Sequence, residues 1–199
     1  MRVTIGNLKG GAGKTTTAMY LAAGLPGRVA LIDAAREQES AYRWSQLAED
    51  FAAVVIPWST PDLAKRVQAI ADDYDHLIID TPGGGHSVDL LRQACMVTDQ
   101  LIIPLGPTPM ELADLATTID VAVSVEALHP VDVRVLLTRA RVGTIAERET
   151  LGWLDEHELP RFRAVIHLRE AYAQAFGTAP DDLGEYAEVL AELTQGAHQ

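Results

Sequence analysis

The chain has 199 residues, 48% apolar and 22% charged, which predicts one globular domain with one core and excludes disorder and low complexity. Sixteen Lys and Arg stand against 28 Asp and Glu, a formal net charge of −12, so the overall field does not draw in nucleic acid or an anionic membrane. A lone cysteine, Cys95, excludes an internal disulfide framework or a site needing two thiolates, and no run approaches the roughly 18 apolar residues of a membrane span.

Short apolar runs alternate with longer stretches of helical period. Strands are predicted at residues 3–5, 29–32, 53–56, 77–79, 101–103, 133–137 and 164–166. Most are apolar at every position, as suits strands buried on both faces of a parallel sheet. Helices are predicted between them at about 14–24, 40–50, 62–73, 87–96, 110–128, 144–157 and 168–176, with a last one at 182–194. Thr60 and Pro61 read as an N-cap followed by proline at the first helical position. The alternation predicts a single α/β domain over 1–199: a doubly wound, mostly parallel sheet with helices on both faces and ligands at the carboxyl ends of its strands.

The first strand runs into Lys9, Gly10, Gly11, Ala12, Gly13, Lys14, Thr15 and Thr16, which open the first helix. Glycines let backbone N–H groups turn inward around an anion, and the helix presents its positive end to the same place. Lys14 can reach the β- and γ-phosphates of a nucleotide, and the Thr15 hydroxyl can ligate Mg²⁺. The common G-x-x-x-x-G-K-[ST] pattern fails, because its first glycine falls on Leu8.

This variant resembles the ParA/MinD family of deviant Walker P-loop ATPases, most nearly the small plasmid-type, ParF-like partition proteins. The likeness continues in order along most of 1–176. Asp80, closing His76-Leu77-Ile78-Ile79-Asp80 ahead of Thr81-Pro82-Gly83-Gly84, resembles a Walker B strand. Ile102 to Pro109 resembles the proline-containing loop near the base, Leu136-Leu137-Thr138-Arg139 a strand ending close to the adenine, and Ile166 to Tyr172 a C-terminal family segment. The resemblance implies ATP bound by residues 9–16 with Pro107, Thr138 and Arg139, and Mg²⁺ held by Thr15, Asp33 and Asp80. It implies catalytic parts for Lys9, Lys14, Asp33 and Glu37, Lys9 being the signature lysine that reaches a partner's ATP across a sandwich homodimer. It also implies a ParB-type partner protein and a cytoplasmic chain that joins the nucleoid when ATP-bound.

Sequence-independent DNA binding is implied as well. The locally basic stretch from Arg134 to Arg169 carries seven Arg against five acids, and Arg161, Arg163 and Arg169 are its candidates. Membrane binding is not expected, since residues 183–199 contain no Lys or Arg. With the first strand at residues 3–5, the expectation is a chain without the N-terminal helix-turn-helix extension of some larger relatives.

One segment departs from the family. Relatives read Asp-x-Asp-Pro-Gln-x-Ser after the second strand; here Asp33 is followed by Ala34, Ala35, Arg36, Glu37, Gln38, Glu39 and Ser40. The second aspartate, tied in relatives to water activation, is replaced by Ala35 or Arg36, depending on register. Glu37 substitutes if the apparent insertion bends the loop; otherwise hydrolysis is slow or the base comes from elsewhere, with Asp89 or a carbonyl near Gly83 as candidates. Two rival readings stay open: a nucleotide-gated binding module with little turnover, and a metabolic P-loop synthetase or kinase. Cys95 reads as a buried structural thiol and His86 as a solvated loop residue.

Overall fold

The computed structural model describes residues 1–35, 40–84 and 87–196. These form six strands: β1 (Arg2–Ile5), β2 (Val29–Asp33), β3 (Val54–Pro57), β4 (His76–Asp80), β5 (Gln100–Leu105) and β6 (Asp132–Leu137). The helices are α1 (Lys14–Gly24), α2 (Ser40–Leu47), α3 (Leu63–Ile70), α4 (Val88–Cys95), α5 (Pro109–Glu126), α6 (Ile145–Glu156), α7 (Glu170–Gln174) and α8 (Tyr186–Gly196).

All strands pair in parallel, in the order β3-β2-β4-β1-β5-β6. β2 and β5 are buried at every position, which explains their unbroken apolar sequences. Side chains still alternate between faces. Val29 and Leu31 join Val3, Ile5 and Ile102 in a cluster under α1 and α8. Ala30 and Ile32 join Leu77 and Ile79 under α3, while Leu101, Ile103 and Leu105 pack beneath α5. Helices thus cover both faces, and β1 lies between β4 and β5, where the strand order reverses. The crevice outside β1 is where such a sheet binds its ligand.

Two expected elements differ. Residues 164–166 form no strand. This segment flanks β6 through separated bonds, Phe162 N–H to the Val135 carbonyl at 2.9 Å and Ile166 N–H to Leu137 at 2.9 Å. Between them the N–H groups of Arg163 and Ala164 donate to the Glu192 carboxylate of α8 at 3.0 and 2.9 Å, so a side chain takes donors that a ladder would use. The helix expected from Thr60 and Pro61 starts at Leu63 instead, with Asp62 as N-cap; the Thr60 hydroxyl bonds to Asp62 rather than capping the helix itself. The Thr-Pro device operates at α5, where the Thr108 hydroxyl accepts from Glu111 N–H at 3.2 Å and Pro109 opens the helix.

No helix of the described residues is long and apolar enough to cross a membrane. Cys95 is buried in α4, and burial pushes its thiol up to about 12, as for an inert core cysteine.

Candidate functional site

The Gly-rich loop between β1 and α1 is pinned from three sides. Asn7 donates from Nδ2 to the Pro104 carbonyl of β5 at 2.7 Å and accepts from Lys9 N–H at 2.8 Å. The Thr118 hydroxyl of α5 accepts from Leu8 N–H at 3.3 Å, and the Thr138 hydroxyl past β6 donates to the Ala12 carbonyl at 3.0 Å. Gly11 and Gly13 have φ of 76° and 87°, a conformation that glycine adopts without strain. A preorganised concave loop at the start of a helix is an anion cradle.

Lys14 is buried, and its Nζ donates to the Lys9 carbonyl at 2.8 Å. Burial pulls its pKa down, and Asp80 partly offsets this. The Thr15 hydroxyl donates to Asp80 Oδ2 at 2.7 Å. Asp33 and Asp80 end β2 and β4 in register, both almost wholly buried. Burial pushes the Asp80 carboxyl up to about 7, with neighbouring Asp33 adding to the effect and the Thr15 bond and Lys14 pulling it back. Asp33 accepts from Ala35 N–H at 3.0 Å and Tyr42 N–H at 2.9 Å, and so braces both ends of the segment that follows β2.

Asp80 Oδ1 is buried with no hydrogen-bond partner. An orphaned carboxylate oxygen beside a threonine hydroxyl at a phosphate cradle fits Mg²⁺, which takes one or two carboxylates, phosphate oxygens and several waters rather than an all-protein cage. No group of three or more His, Cys, Asp or Glu among the described residues is placed to hold a metal. A cleft of about 1270 Å³ opens over the loop, bounded by Lys14 and Thr15, by Gly83 after β4, by Ser59 after β3 and by Asp89 of α4.

The family model described as VirC1 protein matches residues 1–178. The chain belongs to this family of ParA-like P-loop ATPases. It is 34% identical to a maintenance of carboxysome distribution protein A from Gloeobacter kilaueensis, over 87% of this chain and 79% of that protein. It is 31% identical to the virC1 protein of Rhizobium rhizogenes, over 86% and 78%. The solved structure of apo McdA from Cyanothece shares the fold with a TM-score of 0.80 at 21% identity, covering 97% of this chain and 98% of that one.

Within this VirC1-family fold the expected site residues divide into groups. Gly10, Gly11, Gly13, Lys14, Thr15 and Thr16 line the cleft, while Ala12 is buried behind it and tied to Thr138. The Thr138 hydroxyl thus donates to the loop and keeps its acceptor lone pairs. Arg139 stands at the cleft rim with φ 55°, its guanidinium 2.6 Å from Glu111 Oε1; the other Glu111 oxygen accepts from Gly106 N–H at 2.6 Å. Pro107 is half-buried and does not line the cleft. The Lys9 amine turns to α5, 3.0 Å from Asp114 Oδ2. Glu37 and His86 lie outside the described residues.

The three candidate DNA arginines lie away from the cleft, and each is paired with an acid. Arg161 makes a two-pronged contact with Asp155 at 2.7 and 3.0 Å, Arg163 lies 3.6 Å from Glu192, and Arg169 bonds Glu185. The acidic tail of the sequence therefore folds back onto the basic stretch.

Sequence reading missed Asn7, Glu111, Asp114 and Thr118. The last three recur at helical spacing on α5 and serve Gly106 and Arg139, Lys9, and Leu8 in turn. A polar stripe on an otherwise apolar helix was the available signal.

Proposed function

We propose that the chain is an ATP-driven positioning switch. ATP with Mg²⁺ closes two protomers into a homodimer, the dimer holds a surface, and hydrolysis releases it. The observation that carries this reading is the Lys14–Thr15–Asp80 group, its lysine and aspartate buried, with an unpartnered Asp80 oxygen beside a glycine loop. In this reading Lys14 and the loop N–H groups grip the phosphates. Thr15 and Asp80 hold Mg²⁺, Asp80 through water, with Asp33 behind it; the ion neutralises phosphate charge. Arg139 and Pro107 flank the base. Lys9 leaves Asp114 to neutralise the partner's phosphates, which makes assembly depend on ATP.

The relatives' names, one concerned with carboxysome distribution, support a positioning role. For this chain the surface is DNA bound without sequence preference through Arg163, Arg169 and Arg161. The trigger is a ParB-type partner protein, and the ATP-bound form is nucleoid-associated in the cytoplasm. The cargo is a plasmid, a chromosome origin or a protein assembly. Sedimentation of the full chain with ATP, ADP or neither, alongside phosphate release, tests the reading. ATP-specific dimers with slow turnover support it; a monomer under all conditions rejects it and favours a synthetase or kinase. The Ala35 position, with no carboxylate to offer, favours slow intrinsic turnover and keeps a nucleotide-gated binding module as the second reading.

A further inference from the structure

We infer that Asp89, steadied by Arg92, orients the water that attacks the γ-phosphate. The inference rests on reading the cleft as an ATP-hydrolysing site, and three observations carry it.

The first is a gap. Ala35 or, in the other register, Arg36 stands where the resembled family carries a water-orienting carboxylate; neither residue has one, and Ala35 brings only a methyl group to the cleft wall. The second is chemical. Among the described residues that line the cleft, Asp89 bears the one carboxylate. Asp33 and Asp80 are both about 1% exposed, and each already accepts hydrogen bonds from Ala35 and Tyr42 or from Thr15. The third is mechanical. The segment leading to Asp89 is tied to the phosphate loop: Gly84 N–H donates to the Leu8 carbonyl at 2.5 Å, and Ser87 N–H donates to Gly84 at 3.0 Å. Gly83 lies so close that a Cβ there would be 3.0 Å from both Gly10 and Lys14 Nζ. α4 starts one residue after Ser87 and puts Asp89 in its first turn.

Asp89 is 85% exposed, so its carboxylate is free to meet a water in the cleft. Arg92, one turn along and also lining the cleft, donates to Asp89 Oδ1 at 2.7 Å. That bond fixes one oxygen and leaves the other for the water. A solvated ion pair three residues apart on a helix is ordinary elsewhere; here both members line the cleft that Lys14 and Thr15 also line.

In the step proposed, the water oxygen forms a bond to the γ-phosphorus. The bond from phosphorus to the β–γ bridging oxygen breaks, and its electron pair leaves with ADP. Asp89 accepts the hydrogen bond of the attacking water and takes its proton, which then passes to the released phosphate or to solvent.

The test is single-turnover ATP hydrolysis by the full chain with Mg²⁺, beside equilibrium ATP binding. Asp89→Asn is expected to slow hydrolysis about 10²-fold while ATP affinity stays within about threefold, and Asp89→Glu to keep part of the rate. Ala35→Asp, or Arg36→Asp in the other register, placed in the Asp89→Asn chain is expected to restore turnover. Wild-type turnover in Asp89→Asn overturns the inference, as does a parallel loss of rate and affinity, which marks a structural role. A Glu37→Ala chain that alone loses turnover also overturns it. If neither the wild type nor Ala35→Asp hydrolyses ATP, the ATPase reading falls and the inference with it.

Discussion

Lys9 and Asp114 form an ion pair, Nζ to Oδ2 at 3.0 Å, that holds the loop's first lysine on its own α5. Both side chains are partly exposed, so the pair contributes about 1 kcal/mol or less and yields to a partner's phosphates. Asp114→Asn is expected to shift ATP-dependent dimerisation to lower protein concentration, by up to about fivefold. Lys9→Ala should leave monomer ATP affinity near wild type and abolish the dimer. Sedimentation velocity at matched nucleotide concentrations reads both; unchanged dimerisation in both variants removes Lys9 from the interface.

Asp80 sets stability against binding. Its carboxyl, pushed up to about 7 by burial, stays protonated in the fold where the unfolded chain, at about 4, has ionised it. Between those values the folded state holds the extra proton, so nucleotide-free stability falls as pH rises from about 4 and the loss is complete above about 7. Asp80→Asn removes this penalty. It should melt higher than wild type at pH 8 without nucleotide, by about 2–4 °C for each kcal/mol recovered, and should lose Mg²⁺-dependent stabilisation by ATP. A lower melting point at pH 8 would contradict the assignment.

Lys14→Ala deletes the buried amine that donates to the Lys9 carbonyl and that the proposed reading assigns to the phosphates. ATP and ADP should both cease to raise the melting temperature, with titration calorimetry showing at least a hundredfold weaker binding, about 2.7 kcal/mol. Retained affinity would move the phosphate site elsewhere.

The paired arginines give an ordered expectation for DNA. Arg163 is 83% exposed and its contact to Glu192 is long, so it is the readiest to exchange partners; Arg161, 23% exposed and two-pronged on Asp155, is the least. Arg163→Ala and Arg169→Ala should weaken binding of the ATP form to all sequences alike and flatten its salt dependence by about one phosphate each. Arg161→Ala should instead lower thermal stability. Salt-insensitive binding, or none at low salt with ATP, defeats the DNA reading.

Local patterns declared most of this fold. The continuous apolar runs of β2 and β5 and the glycine loop ahead of α1 are short-range signals, and they read directly. What stayed hidden depends on chain-distant partners. Residues 164–166 look like a strand until Glu192 takes their neighbours' N–H groups. Arg161, Arg163 and Arg169 look like a free basic patch until α6 and the C-terminal acids reach them. Thr138 looks like a residue of the base pocket alone until its hydroxyl is seen to tie down Ala12 of the phosphate loop as well. Pairing across 28 or 126 positions leaves no periodic trace in sequence.

Gly83 leaves no room for a side chain: a Cβ there would lie 3.0 Å from the Gly10 backbone and from the Lys14 amine. The chain after β4 is therefore in direct register with the phosphate grip, like a finger resting on a trigger. In the proposed ATP cycle, the backbone at Gly83 is the part of that segment that stands closest to the phosphates Lys14 would grip. Even a methyl group at this position would press on the Gly10 backbone and the Lys14 amine at 3.0 Å, so the grip keeps its shape only while residue 83 has no side chain.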